Sequence, residues 1–250
     1  MRRLLVVGGT ADSSDFIQKA PREWELIVTV YSDQGEKVLP AREKMKVHRG
    51  GLDENGFLEL IRAEKAEAVA DLSHPFAAEV SDNVKAAAER AGVPRYRFLR
   101  AAFTERENRV DYPDFAAAAA GLKDIPGNIL LTIGSRNLGP FLEDEELKNR
   151  CYMRVLADSR VLRELEEKNV DAGKIFAMKG VASAALNIAL AKEVDAAAIV
   201  TKDSGLTGGL QEKYDAAKAL NIPLIVVGRP EESGDVFTDI ETMIAEIGRE

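Results

Sequence analysis

Short apolar runs alternating with helical patterns constrain this 250-residue chain more than any other feature. Leu4 to Val7, Leu26 to Tyr31, Met45 to His48, Ala66 to Leu72 and Val93 to Arg100 are four to eight residues long and mostly apolar. Between them lie helical segments, such as Ser14 to Lys19 and Asp53 to Arg62, the latter with Phe57, Leu60 and Ile61 on one face. Strands buried on both faces and joined by helices form parallel sheets, so the first 100 residues predict a doubly wound α/β sheet. The rhythm breaks between Ala101 and Gly127, where Glu105 to Asp111 is polar and Asp114 to Leu122 forms a helix. It resumes with strands at Asn128 to Ile133, Cys151 to Leu156, Lys174 to Met178 and Ala196 to Thr201, and Leu224 to Val227 closes the second sheet. Val236 to Gly248 reads as a final helix. Two domains are expected, 1–105 and 106–250, with the junction inside 100–127.

The chemistry-bearing residues sit at strand ends. After Ala196 to Val200 come Thr201, Lys202, Asp203, Ser204, Gly205, Thr207, Gly208 and Gly209, then a helix from Leu210 to Leu220. A strand-to-helix turn in such a sheet lies at the carboxyl edge, where ligands bind. Its glycines let backbone N–H groups approach an anion, the following helix points its positive end there, and Lys202 adds a charge. Gly8, Gly9 and Thr10 repeat the arrangement after the first strand, although G-x-G-x-x-G is incomplete. After the second strand, Asp33 suits a ribose 2′-hydroxyl and Ser32 with Arg42 suits a 2′-phosphate. His74 lies just past the fourth strand, with Pro75 opening the next helix, which carries Ser81 and Asn83 and stops at Gly92. Thr132, Gly134, Ser135 and Arg136 follow the first strand of the second half.

Charge sharpens this picture. The net charge is −8, and the last twenty residues carry seven acids against Arg249. Between Arg95 and Arg109, five arginines face Glu105 and Glu107. A globally acidic chain with a local basic patch argues against nucleic acid and for a small polyanion. No apolar run approaches a membrane span, the first one stops at Gly8, and a lone Cys151 fits a reducing compartment, so a cytoplasmic location is expected. Two histidines and one cysteine do not make a structural zinc site, and no metal site is expected. Tandem parallel sheets place two carboxyl edges face to face, and the cleft between them is the expected site. Its residues bind anions but offer no nucleophile–base pair, which points to a cofactor that supplies the reactivity, such as a hydride donor.

The same residues carry a family resemblance. Gly8-Gly9-Thr10, Asp71-Leu72-Ser73-His74-Pro75-Phe76-Ala77 with Ser81 and Asn83, Thr132 to Leu138, Val200 to Gly205 with Gly208-Gly209 and Glu212-Lys213, and Arg229-Pro230 resemble the precorrin-6A reductase family, including the cobalt-precorrin-6A reductases. The resemblance covers nearly the whole chain. It implies two Rossmann-like domains facing across a cleft, NADPH or NADH as cofactor, and reduction of one double bond of a polycarboxylate tetrapyrrole in cobalamin biosynthesis. The cofactor is then expected at Gly8, Gly9, Thr10, Ser32, Thr132, Gly134, Ser135 and Arg136. The substrate is expected at Ser73, His74, Ser81, Asn83, Lys202, Asp203, Ser204, Gly205 and Gly208. His74 and Lys202 are the candidate proton donors. The chain departs from the family at Gly180-Val181-Ala182-Ser183, where Gly-Pro-Phe-Ser is common, and at Ala11-Asp12; Asn187 is kept. A monomer is expected. The rival readings are a nucleotide-sugar-dependent transferase and a non-catalytic anion-binding protein of similar form. A short-chain reductase is excluded, because the one Tyr-x-x-x-Lys pair, Tyr214 and Lys218, lies on the helix beyond the glycine loop.

Overall fold

The computed structural model describes residues 2–101, 103–205, 208–230, 232, 234 and 236–249, with only the backbone of Gln34. The chain begins with β1 (Arg3–Val7), α1 (Ala11–Lys19), β2 (Glu25–Val30), α2 (Asp33–Glu36), β3 (Met45–Arg49), α3 (Glu54–Ala63), β4 (Ala68–Asp71), α4 (Ala78–Ala91) and β5 (Arg95–Phe98). Next come β6 (Arg109–Tyr112), α5 (Phe115–Gly121), β7 (Asn128–Leu131), α6 (Gly139–Leu142), α7 (Glu145–Arg150), β8 (Cys151–Val155), α8 (Ser159–Glu167), β9 (Ile175–Ala177), α9 (Ala184–Glu193), β10 (Ala196–Lys202), α10 (Leu210–Leu220) and β11 (Leu224–Val227). The chain ends with β12 (Val236–Phe237) and α11 (Ile240–Arg249).

These elements form two α/β units, each around a six-stranded parallel sheet. The strand orders are β12-β5-β4-β1-β2-β3 and β6-β11-β10-β7-β8-β9. In each sheet the chain runs outward over three strands, then returns to the other side of the first. The switch points therefore lie between β1 and β4 and between β7 and β10, where ligands bind in doubly wound sheets.

Burial explains why β1 holds the centre of its sheet. Successive side chains point to opposite faces, so Leu4 and Val6 pack with Phe16, Ile17, Leu26, Val28, Met243 and Ile247. Leu5 and Val7 join Ile27, Phe57, Ile61, Val69, Val84 and Ala87 on the other face. In the second unit, Leu130, Ile199, Leu224 and Val226 pack against Leu210, Tyr214 and Ala217 of α10. Gly92 ends α4 in the left-handed conformation, as its position predicts.

Several boundaries differ from the sequence reading. The units are Met1–Ala101 with Pro230–Glu250, and Ala102–Arg229, so the tail does not belong to the second domain. The reason is an exchange of sixth strands. Polar residues 105–111 contain the start of β6, which leaves β5 and pairs with β11, Leu224 opposite Arg109. Leu224–Val227 is therefore an interior strand rather than the closing one. The place beside β5 is filled by β12, Val236 opposite Arg97. The expected single helix from Val236 is thus a short strand followed by α11, whose Ile240, Met243 and Ile247 cover the first core. Pro75 does not open α4. His74 to Ala77 form a turn closed by the Ala77 N–H donating to the His74 carbonyl at 2.8 Å, and α4 starts at Ala78.

Candidate active site

At the carboxyl edge of the first sheet, Thr10 caps α1. Its Oγ1 accepts from the Ser13 N–H at 3.1 Å, and the Ser13 Oγ accepts from the Thr10 N–H at 3.1 Å. The Thr10 hydroxyl also donates to the Leu72 carbonyl at 3.0 Å, which ties this loop to the end of β4. The Gly8 N–H donates to the Thr29 carbonyl at 2.9 Å. Gly8 and Thr10 therefore use their amides inside the unit. The first helical N–H groups, those of Ala11 and Asp12, have no intrahelical partner. Gly9 has φ +87° and lies against Gly35, which lets this turn close with its backbone open toward the helix start. Ser32 caps α2, its Oγ accepting from the Gly35 N–H at 3.4 Å. A dinucleotide's phosphate suits such a glycine turn at a helix start. The donors present fit that group through Gly9, Ala11 and Asp12.

The neighbouring strand end holds a buried ion cluster that sequence reading missed. Asp71 ends β4 with no exposure. Its carboxylate accepts from the Ser73 N–H at 3.0 Å, the Ser81 hydroxyl at 2.9 Å and Arg95 Nη2 at 2.7 Å. Arg97, 1% exposed, lies 3.3 Å from Asp71 and donates to the Ser73 carbonyl at 2.9 Å and to Glu232 at 2.8 Å. Burial alone would raise the Asp71 carboxyl, but Arg97, Arg95 and Ser73 more than offset it and hold it below the usual range. Ser73 and Ser81, expected to touch substrate, both hydrogen-bond to Asp71 in this cluster. Asn83 is half-buried on α4 beside buried Val84. His74 is half-buried on the turn above, its Nδ1 accepting from the Phe76 N–H at 3.1 Å.

The arginine run between Arg95 and Arg109 is likewise matched by acids. Arg100 donates to Asp12 at 2.7 Å, and Arg106 and Arg109 both pair with Asp111. The basic patch expected there is therefore neutralised within the fold. Arg42 is also not at the ribose position. Its guanidinium donates to the Ile17 and Ala20 carbonyls at 2.9 and 3.0 Å, capping the far end of α1.

The second sheet presents a different edge. Lys202 ends β10, and burial, with help from Arg136, pushes its ammonium down to about 8. Asp203 is buried and accepts from Arg229 Nη2 at 2.9 Å and from the Gly205 N–H at 3.3 Å. Ser204 is buried, and its N–H donates to the Lys202 carbonyl at 2.8 Å. Gly205 and Gly208 close a turn at 3.0 Å, while Thr207 lies outside the described residues. Gly209 has φ +73°, and a Cβ there would lie 2.4 Å from Val181 Cγ1, so Val181 closes on this loop. Thr132 is buried, and its hydroxyl donates to the Val200 carbonyl at 2.7 Å. Gly134 precedes a 3-10 turn over Ser135–Asn137 that carries half-buried Ser135 and exposed Arg136.

Two further cations were not anticipated as site residues. Lys213, 4% exposed in the first turn of α10, donates to the Gly208 carbonyl at 3.1 Å. Burial first, then Arg154 and Lys202, push its ammonium down to about 7, with Glu212 opposing. Arg154, near the end of β8, donates to Asn187 at 2.7 Å, and Asn187 donates to the Ala182 and Ser183 carbonyls. The signal for Lys213 was its place in the Glu212-Lys213 motif; a lysine early in a helix otherwise looks solvent-facing.

Two doubly wound parallel sheets, one with a glycine turn and helix start at its carboxyl edge and the other with several cations there, define a protein of the Rossmann-like class. The chain belongs to the CbiJ/CobK family of precorrin-6x reductases, whose model matches residues 3–248. A cobalt-precorrin-6A reductase of Methanothermobacter thermautotrophicus is 31% identical over 96% of this chain and 82% of its own length. A precorrin-6A reductase of Rhodobacter capsulatus is 30% identical over 92% of this chain and 89% of its own. The solved structure of the CobK precorrin-6A reductase superposes with a TM-score of 0.77 at 25% identity, over 100% of this chain and 97% of that one. The chain is thus an oxidoreductase acting on a CH–CH group in cobalamin biosynthesis. This replaces the transferase and binding-protein alternatives. Among the described residues, no helix is long and apolar enough to cross a membrane.

Proposed function

We propose that the chain reduces one double bond of precorrin-6A or cobalt-precorrin-6A, holding the dinucleotide at the first unit's edge and the ring's carboxylates at the second's. The observation that carries this reading is the row Arg136, Lys202, Lys213 and Arg154, in which Arg136 adds to the lowering of Lys202, and Arg154 and Lys202 add to that of Lys213. Asp203 is paired with Arg229, and Glu212 is the acid acting on Lys213. A polycarboxylate suits such an edge. Arg136 acts with Lys202, so Gly134, Ser135 and Arg136 go to the macrocycle in this reading rather than to the cofactor. Thr132 supports β10.

When bound, the reduced nicotinamide supplies the hydride. The chain's part is to orient the ring and deliver a proton to the neighbouring carbon. Lys202 is the better donor. At about 8 its ammonium is still protonated at neutral pH, yet it is a far stronger acid than an ordinary lysine. The Nδ1 of His74 accepts from the Phe76 N–H at 3.1 Å. His74 therefore serves as a hydrogen-bond donor through Nε2. The working form is a cytoplasmic monomer, consistent with the single buried thiol of Cys151; light scattering on the purified chain checks its size.

The test mixes purified protein with precorrin-6A and either NADPH or NADH, and follows the nicotinamide absorbance band. Oxidation that requires the macrocycle is expected, as is its loss in Lys202→Met. No oxidation with either cofactor and either form of the substrate overturns the reading.

A further inference from the structure

Lys213 stands in a position that a charged lysine disfavours on three counts. It is almost fully buried, where an ammonium loses its hydration. It sits in the first turn of α10, at the positive end of the helix dipole. It also faces Arg154 from β8 and Lys202 from β10. Among the described residues, Glu212 on its own helix is the one acid acting on it, and Glu212 Oε2 is buried with no hydrogen-bond partner among them. From α9 the polar group near Arg154 is Asn187, and β11 supplies only Leu224 to Val227. Yet Lys213 is anchored, donating to the Gly208 carbonyl at 3.1 Å.

We infer that Lys213 is a positioning residue that couples anion binding to proton uptake: an anion seated beside Gly208 draws a proton from solvent onto Lys213 Nζ, and the resulting ammonium fixes Gly208 against the ligand. The inference rests on the proposed placement of the macrocycle's carboxylates at this edge. The proton balance is simple. The X–H bond of one buffer acid breaks, one N–H bond forms at Nζ, and no bond of the ligand changes. An ammonium has three donors, so it can hold Gly208 and still offer hydrogen bonds to a carboxylate. The lowered titration of Lys213, to about 7, agrees with the geometry: near pH 8 the empty site holds it mostly neutral.

The test is calorimetric titration of the full chain with uroporphyrin I, an octacarboxylate tetrapyrrole, at pH 8 in two buffers of different ionisation enthalpy. The difference between buffers counts the protons taken up. Wild type is expected to take up about one proton more per ligand than Lys213→Met, whatever Lys202 adds to both. Lys213→Arg, whose charge is permanent, is expected to bind while losing the same proton. Thermal melts verify that both variants are folded. Equal uptake in wild type and Lys213→Met, with binding intact, overturns the inference and leaves the proposed function standing. Failure of the probe to bind, or binding that Lys202→Met does not weaken, removes the cationic edge and the inference with it.

Discussion

The two units share one strand order but treat charge in opposite ways. In the first, buried cations at the carboxyl edge are matched by acids: Arg95 and Arg97 by Asp71 and Glu232, and Arg100 by Asp12. In the second, Lys213 donates to the Gly208 carbonyl and Arg154 to Asn187, neutral partners both. A neutralised edge with open amides suits a dinucleotide, whose recognition rests on backbone donors. An unbalanced edge suits a ligand that brings its own negative charges. Fold alone therefore does not say which sheet takes which ligand, and the proposed assignment rests on the charge pattern.

The largest expected effect tests the balanced side. Asp71→Ala leaves Arg95 and Arg97 buried without their carboxylate, which should cost about 3–5 kcal/mol in urea denaturation. The Asp71 carboxyl is held below its usual range, so its contribution is present above the ordinary carboxylate pKa. It is lost as pH falls through the lowered value, and the gap between wild type and variant should shrink in acid. An unchanged urea midpoint at neutral pH would show that the cluster is not structural.

Next comes the unbalanced side. Lys202→Met should lower kcat about a hundred-fold, the usual range for a general acid. Activity of the wild type should fall as pH rises through about 8, where Lys202 gives up its proton. The variant should lack that fall, and a retained one assigns the proton to another group.

A smaller effect, of opposite sign, is expected from Lys213→Met, which should stabilise the ligand-free protein by on the order of 2 kcal/mol. Its folded pKa, about 7, lies below the ordinary 10.5. The unfolded chain binds the extra proton between those values, so wild-type stability rises with pH across that window and the penalty is whole below 7. The variant's advantage should therefore be greatest below pH 7 and vanish near 10.5; a pH-independent difference would point to packing instead. The smallest effect concerns the cofactor. Arg49, at the end of β3, is paired with Glu36 and lies 3.6 Å from Asp33. Glu36→Gln releases it toward the ribose position near Ser32 and should shift kcat/KM toward NADPH by about three-fold.

Much of this architecture was legible in the sequence, because a buried parallel strand such as β1 is a continuous apolar run and helix periodicity marks what lies between. The strand-end loops followed from that rhythm. The exchange of β6 and β12 did not. These edge strands are four and two residues long, with polar or exposed members such as Asp111 and Val236, and their partners lie far away in sequence. The arginines from Arg95 to Arg109 looked like a basic patch, since sequence shows charges but not that Asp71, Glu232 and Asp111 meet them. Lys213 was hidden for the converse reason, since burial is what makes it unusual, and Arg154 because its partner Asn187 lies far away in sequence.

The most direct test of the account is a paired affinity measurement on the double variant Lys202→Met with Arg154→Met, titrated with NADPH and with uroporphyrin I. The account predicts that macrocycle affinity falls at least ten-fold, as expected for lost buried charge partners, while the NADPH affinity is unchanged. A fall in NADPH affinity with macrocycle binding intact would contradict it and reverse the assignment of the two sheets.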